Sequence, residues 1–527
     1  MKYLILLSAF SVISLSKACD ILRNTQYGPI CGTIKTNRGP NTSASYYYFT
    51  GVPYARPPLG SLRFKEAEPP LPWIYPKNST VPGNICTQIS SLFMGSEVLG
   101  SEDCLTLEIA VEGNHSNGLP VMVWIHGGSF LFSSHQETGP DYFMEKPIVL
   151  VSINYRLNVF GFLSTLNQDA PGDPNKVTIF GGSAGGASVQ FHMLSPRSKN
   201  LFHRAISQSG VTLNTWAFQR NPKEMAFRLG RGLGFDTHNT TKLILALQQV
   251  PSDILIKTGF NSSIMGPYIL FDEVPFKPSI EHGDDPNAFL SHRAYEALES
   301  GSFNKVPYMI GHTTEEGSIF YEYIVTGFIN INDYEENPSL FVPISMNISK
   351  NSGCINHTVK AIKQHFFKNS TFTDKVNWIK YMGQSVRSFM KSAELICKHQ
   401  KEHVFYYVYS YVGTNALSYL GGAGHYSEVL KLFYPLNENW STNLTKEDRV
   451  VQKNLLNLWT TFANTGHPTR TEENSTFNPL QWPSFCDDLQ YFDIGATLSL
   501  KINPDNDFYN FWEPIFETCG TKPYNTY

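Results

Sequence analysis

A serine set between glycines at the end of an apolar, β-branched run is the feature of this chain best suited to nucleophilic chemistry. The run is VTIFGGSAGG, residues 177–186. A strand that turns sharply into a helix lifts the Ser183 hydroxyl above a sheet. Gly181 and Gly185 remove side chains for which such a turn has no room. Gly-x-Ser-x-Gly alone is weak evidence in a glycine-rich chain, so the argument needs oxyanion donors, a base and an acid. HGGSF at 126–130 directly follows the apolar run VMVWI. The backbone N–H groups of Gly128 and Ser129, with that of Ala184, are therefore candidates to hold a developing oxyanion. Losing one such donor typically costs about 2.7–4 kcal/mol of transition-state stabilisation. VPYMIGHTTEEG offers Glu315 and Glu316 after another apolar run, and Glu316, immediately before Gly317, is the candidate acid. His425, in the glycine-rich stretch GGAGHYSEVLKLF after HVFYYVYSY, is the candidate base, read as following the last strand. This set would let a serine attack a carbonyl carbon while its proton passes to a histidine oriented by a carboxylate. Such chemistry needs no metal or organic cofactor, and neither His-Glu-x-x-His nor a phosphate-binding P-loop occurs.

These groups must be held by strands and helices, and the pattern supplies both. VMVWI (121–125), IVLVSINY (148–155), VTIF (177–180), VPYMIG (306–311) and HVFYYVYSY (403–411) are apolar runs bounded by turn residues, as expected of strands buried on both faces of a parallel sheet. KEMAFRLGRGLG (223–234), TKLILALQQV (241–250) and VVQKNLLNLWTTFANTG (450–466) have helical periodicity. The alternation predicts one α/β unit with a long insertion between about 216 and 300. Residues 27–76 are rich in glycine, proline and tyrosine and suit short strands and turns. At 527 residues and 41% hydrophobic, the chain can bury a large core; its net charge of -4 gives no reason to expect nucleic acid or a membrane surface as partner.

Met1 to Ala18 reads as a secretory signal peptide: basic Lys2, an apolar stretch from Tyr3 to Leu15, and Ser16-Lys17-Ala18 as the cleavage site. The alternative, a lipid anchor on Cys19, is poorly served by Lys17. No later apolar run is long enough to span a bilayer. The expected product is exported, and its glycosylation sequons are Asn41, Asn78, Asn114, Asn239, Asn261, Asn347, Asn356, Asn369, Asn439, Asn443 and Asn474. Eight cysteines can pair in an oxidising compartment. Cys86 and Cys104 bracket a short segment and are the first candidates; Cys19 with Cys31, and Cys397 with Cys519, rank behind them.

FTGVPYARPPLGSLRF (49–64), SEDCL (101–105), VWIHGG (123–128), NYRLNVFGFL (154–163), GDPNKVTIFGGSAGG (172–186), LFHRAISQSG (201–210), FNKVPYMIGHTTEEG (303–317), GAGHYSEVLKLF (422–433) and LWTTFANTGHP (458–468) resemble, in order, sequence blocks of the type-B carboxylesterases, the cholinesterase-like α/β-hydrolases. The resemblance covers nearly the whole mature length. It implies an α/β-hydrolase domain over residues 19–527, Ser183 as nucleophile, Glu316 as acid, His425 as base, oxyanion donors Gly128, Ser129 and Ala184, and a Cys86–Cys104 disulfide. The implied activity is hydrolysis of uncharged carboxylic esters by a secreted enzyme, with a small-molecule ester as partner. The alternative is a catalytically impaired isoform or a non-catalytic binding domain.

The chain departs from the family pattern at three places. Gly182 stands where relatives usually carry glutamate or another polar residue. Ser129 replaces the third glycine of the oxyanion loop, where a positive φ would cost roughly 1–2 kcal/mol. Ala170-Pro171-Gly172 runs straight into Asp173-Pro174, so a crossover helix expected before the nucleophile strand is missing. No tryptophan lies between Cys86 and Cys104, which leaves a cation–π site for quaternary ammonium unsupported. The Gly-Gln-Ser-Ala-Gly elbow usual in juvenile-hormone esterases is also absent.

Overall fold

The computed structural model describes residues 19–39, 44–91, 95–113, 118–163, 177–261, 264, 275–281, 288–327, 329–349, 352–437, 439–469, 480–504 and 506–527. The candidate signal peptide (1–18), the stretch 170–174 where a crossover helix is expected to be missing, and the sequons at Asn41, Asn114 and Asn474 lie outside the described residues.

A thirteen-stranded sheet organises the chain. Its principal strands are β1 (Ile21–Thr25), β2 (Gly28–Thr36), β3 (Ser45–Pro53), β4 (Thr106–Glu112), β5 (Val121–Ile125), β6 (Val149–Ile153), β7 (Val177–Gly182), β8 (Arg204–Gln208), β9 (Tyr308–Thr313), β10 (Val404–Tyr409), β11 (Gln490–Ile494) and β12 (Leu498–Ile502). Their spatial order is β1-β2-β3-β4-β6-β5-β7-β8-β9-β10-β11-β12. From β6 to β11 every neighbouring pair is parallel, and the antiparallel strands are confined to the two ends. This is an α/β-hydrolase sheet. All five apolar runs expected to be strands are strands. β10 is not the last of them, because β11 pairs parallel with it and β12 closes the edge.

Alternate residues feed two cores, one on each face. Ile179, Tyr308, Ile310 and Tyr406 join the core that includes helices α1 (Ala184–Leu194) and α2 (Val386–Cys397). Phe180, Met309, Phe405 and Tyr407 join the other, against Val451, Leu455, Leu456, Trp459 and Phe462 of α3 (Lys446–Thr465). Helix α3 begins before its apolar run because Thr445 and Asp448 form a capping box, and it stops at Gly466 with φ 79. On β5 and β6 burial is uneven. Val121, Val123, Val149, Val151 and Ile153 are half-buried, whereas Met122, Trp124, Leu150 and Ser152 between them are buried.

All eight cysteines pair: Cys19–Cys31, Cys86–Cys104, Cys354–Cys519 and Cys397–Cys486. The expected Cys397–Cys519 bridge is replaced. Cys397, closing α2, lies 5.2 Å Cα to Cα from Cys486 on the short helix Phe485–Asp488. Cys519 ends the helix Asn506–Cys519 and lies 5.4 Å from Cys354. Both spacings suit a bridge, and sequence spacing carries no information about which helix ends meet.

Helix α1 approaches β5 closely at Gly185, where a Cβ would stand 2.0 Å from the Ile125 carbonyl oxygen. Gly185→Ala is therefore expected to cost about 3 kcal/mol, as overpacking against unyielding backbone does. Gly353→Ala, where a Cβ meets nothing within 4 Å, should be close to neutral. Urea midpoints of the two variants check this, and equal midpoints would refute it.

Candidate active site

Ser183 sits between β7 and α1 with φ 56 and ψ -122. A non-glycine residue is strained there. Backbone contacts hold it in place: its N–H donates to the Gln208 carbonyl (2.8 Å), and its own carbonyl accepts from the Ala187 N–H (3.0 Å). Ser183 is half-buried, although nearly every residue around it on β7 and α1 is buried. The hydroxyl is thus carried at a strand's C-terminal end and a helix's N-terminal end, where the helix dipole favours negative charge.

The loop after β5 turns through three consecutive left-handed residues, Gly128 (φ 99), Ser129 (φ 55) and Phe130 (φ 63). Only glycine fits at 128, where a Cβ would come within 2.0 Å of the Phe132 carbonyl oxygen. The positive φ foreseen for Ser129 is present. Among the described residues no hydrogen bond is donated by the N–H groups of Gly128, Ser129 or Ala184, which are the proposed oxyanion donors. Buried His126 fixes the start of this loop: its Nδ1 donates to the Gly127 carbonyl (2.8 Å), and its ring stacks on Tyr155 at 4.4 Å. The Tyr155 hydroxyl donates to the His126 carbonyl (2.9 Å). Burial drives the His126 pKa down to about 3, so this ring is neutral. The loop's glycine run was legible in sequence; the His126–Tyr155 stack was not, since it joins residues that follow two different strands.

Glu315 and Glu316, adjacent in sequence, do different things. Glu316 is buried at the end of β9, and its Oε2 meets Nδ1 of His425 in a short hydrogen bond. Its Oε1 accepts from the Ser209 hydroxyl (2.6 Å) and the Thr313 N–H (2.8 Å). Glu315 instead accepts the N–H groups of Tyr419 (2.7 Å), Leu420 (2.9 Å) and Gly422 (2.7 Å), which clamps the loop carrying His425. The Ser318 hydroxyl accepts the His425 N–H at 3.3 Å. The two acids divide the work of holding the histidine and placing its backbone.

The electrostatics follow from burial and partners. Burial would lower the His425 pKa, but the charge and hydrogen bond of Glu316, aided by Glu428, raise it above the ordinary 6.5. Burial would likewise raise Glu316, and His425 with His312 and Ser209 outweighs it, holding that carboxyl below 4.5. Glu428, three residues after His425, was not singled out from sequence. It is fully buried, and accepts from Gln208 Nε2 and the Tyr407 hydroxyl, each at 3.3 Å. Burial, and then the charge on Glu316, push its pKa up to about 7.

Phe130 brings the oxyanion loop to within 6.5 Å, ring to ring, of Trp216. A cavity beside Trp216 mixes apolar lining (Phe320, Pro343, Met382) with polar lining that includes Gln384 and Arg387. Among the described residues no three His, Cys, Asp or Glu side chains gather to hold a metal.

The chain is similar to known proteins over most of its length. The model of the carboxylesterase family matches residues 20–172 and 171–512, two segments that meet at residues 171–172. The chain is 32% identical to venom carboxylesterase-6 of Apis mellifera, covering 93% of this chain and 94% of that one. It is 30% identical to juvenile hormone esterase of Tribolium castaneum, covering 88% of each. Among solved structures, juvenile hormone esterase from Manduca sexta with OTFP covalently attached superposes with a TM-score of 0.81 at 25% identity, over 94% of this chain and 99% of that one.

Glu428 yields a stability prediction. Its folded pKa, about 7, lies above the 4.5 of an exposed carboxyl, so the native state favours the protonated form. The stability this contributes is complete below pH 4.5 and is lost as pH rises through about 7. Glu428→Gln abolishes that loss. Its urea midpoint, relative to wild type, is expected to climb between pH 4.5 and 7.5; a difference that stays flat would contradict it.

Proposed function

The chain belongs to the carboxylesterase family, and on that premise we propose that it is a secreted serine esterase hydrolysing uncharged carboxylic esters through an acyl-enzyme on Ser183. The observation that carries this reading is the Glu316 carboxylate bonded to the far nitrogen of His425, which leaves the other nitrogen to serve as base. His425 takes the Ser183 proton as the oxygen attacks the ester carbonyl, and Glu316 stabilises the imidazolium that forms. The N–H groups of Gly128, Ser129 and Ala184 hold the oxyanion. Collapse expels the alcohol, which takes the proton from His425. Water then attacks the acyl-enzyme by the same route, releasing the acid and restoring Ser183. The small molecule is the only partner this chemistry requires. Four disulfides, and exposed sequons at Asn78, Asn239, Asn261, Asn347, Asn356, Asn369, Asn439 and Asn443, support export. Among the described residues no helix is long and apolar enough to cross a membrane.

The second reading is a partner-binding domain without turnover. Labelling with a fluorophosphonate separates the two. The secreted, folded protein should be labelled at Ser183 and Ser183→Ala should not; an unlabelled wild type would transfer the weight to the binding reading. Because the base must be neutral, kcat/KM for an activated ester should rise with pH through a midpoint above 6.5. Glu316→Gln should move that limb to lower pH and reduce kcat by about 10⁴-fold.

A further inference from the structure

Tyr426 follows His425 and adopts a left-handed φ of 75, a strained conformation for an aromatic residue. That conformation lays its ring against two glycines of the site. A Cβ on Gly182, the residue before Ser183, would stand 2.6 Å from Tyr426 Cε2 and 3.2 Å from Cδ2. A Cβ on Gly127 would stand 3.2 Å from Ser183 Cβ and 3.4 Å from Tyr426 Cε2. The ring thus fills the space a side chain at 182 would take, and reaches the same point as the Ser183 side chain. The residue stays half-buried while Ser427, Glu428 and Val429 after it are buried.

Which part of an ester meets this ring follows from the reaction proposed above, on which the inference rests. The expelled alcohol takes its proton from His425, so the alkoxy group leaves on the histidine's side. Tyr426 is the next residue, its ring centre 6.1 Å from the imidazole. We propose that Tyr426 is the specificity-determining residue for the alcohol half of the substrate, an aromatic wall admitted by Gly182 that selects slender or planar alkoxy groups. A flat face offers dispersion contact to an aryl or primary alkyl group, and it has no give for branching next to the ester oxygen.

The test compares wild type, Tyr426→Phe, Tyr426→Gly, Gly182→Ala and the Gly182→Ala/Tyr426→Gly double variant. Glycine at 426 relieves the positive φ, so that variant should fold. Two ester series are used, one varying the alkoxy group at constant acetyl and one varying the acyl chain at constant ethoxy. Tyr426→Gly is expected to raise kcat/KM for isopropyl and tert-butyl acetates relative to ethyl acetate by roughly tenfold or more, within the range for one pocket-filling group. The acyl series should keep its order, and Tyr426→Phe should keep both. Gly182→Ala should lower the rate of fluorophosphonate labelling at least tenfold, and the double variant should recover it. A shift in the acyl series instead of the alkoxy series, or no recovery in the double variant, overturns the proposal while normal labelling of wild type leaves the esterase reading standing. An unlabelled wild type removes that reading, and this one with it.

Discussion

The close passage of backbones around Ser183 is the constraint from which the rest of the site follows. A Cβ on Gly181 would lie 2.5 Å from the Gly185 carbonyl, and one on Gly210 would lie 1.8 Å from the Ser183 carbonyl oxygen. With no side chains to separate them, the ends of β5, β7 and β8 meet directly. Ser183 donates to Gln208, and Ser209 donates to Gly311 at the end of β9. The Ser209 hydroxyl then reaches Glu316. One continuous set of backbone contacts therefore places nucleophile, oxyanion loop and acid without a flexible joint. The cost shows in the left-handed non-glycine residues gathered here, Ser129, Phe130, Ser183, Ser209 and Tyr426. Each is destabilised by roughly 1–2 kcal/mol, which the two packed cores must offset.

Charge is rationed by the same crowding. Two carboxyls, Glu316 and Glu428, are buried near one imidazole, and two negative charges at that depth would repel strongly. The direct bond to His425 settles which one ionises: Glu316 is held charged, and Glu428 is pushed towards its protonated form. Glu428 is held by Gln208 and Tyr407, and Gln208 also accepts from Trp459 Nε1 at 3.1 Å, which connects this acid to α3. The helix on the far face of the sheet is thereby coupled to the protonation state of the site.

Much of this was legible in sequence, for physical reasons. The central strands are apolar on both faces, so their composition alone marks them; Glu316 could be chosen because the strand-then-acid pattern is local. β8 was harder to see: RAISQ is short and ends in buried serine and glutamine, whose partners lie on other elements. The role of Glu315 was invisible because it serves backbone groups more than one hundred residues away. Helix α3 started earlier than its apolar period because its cap is polar. The partner of Cys397, and the existence of strands beyond β10, depend on where the last helices and strands return, which no local pattern encodes. Of the three departures, Ser129 proved strained as foreseen, and Gly182 proved to be filled by Tyr426; neither consequence can be separated from the fold.

The return of the chain's last hundred residues to the sheet has a consequence for biosynthesis. β10 is buried on both faces and bears the loop with His425, yet its outer edge is satisfied only by β11, Gln490–Ile494. The Cys354–Cys519 bridge spans 165 residues and encloses the Cys397–Cys486 bridge, so Cys354 and Cys397 are both made before either native partner. At ordinary translation speeds of roughly 5–20 residues per second, the two intervals last about 8–33 s and about 4–18 s. During them the nascent chain offers an open, aromatic strand edge and unpaired thiols in the same compartment. Disulfide isomerisation and chaperone protection of that edge are the steps this topology exposes during folding.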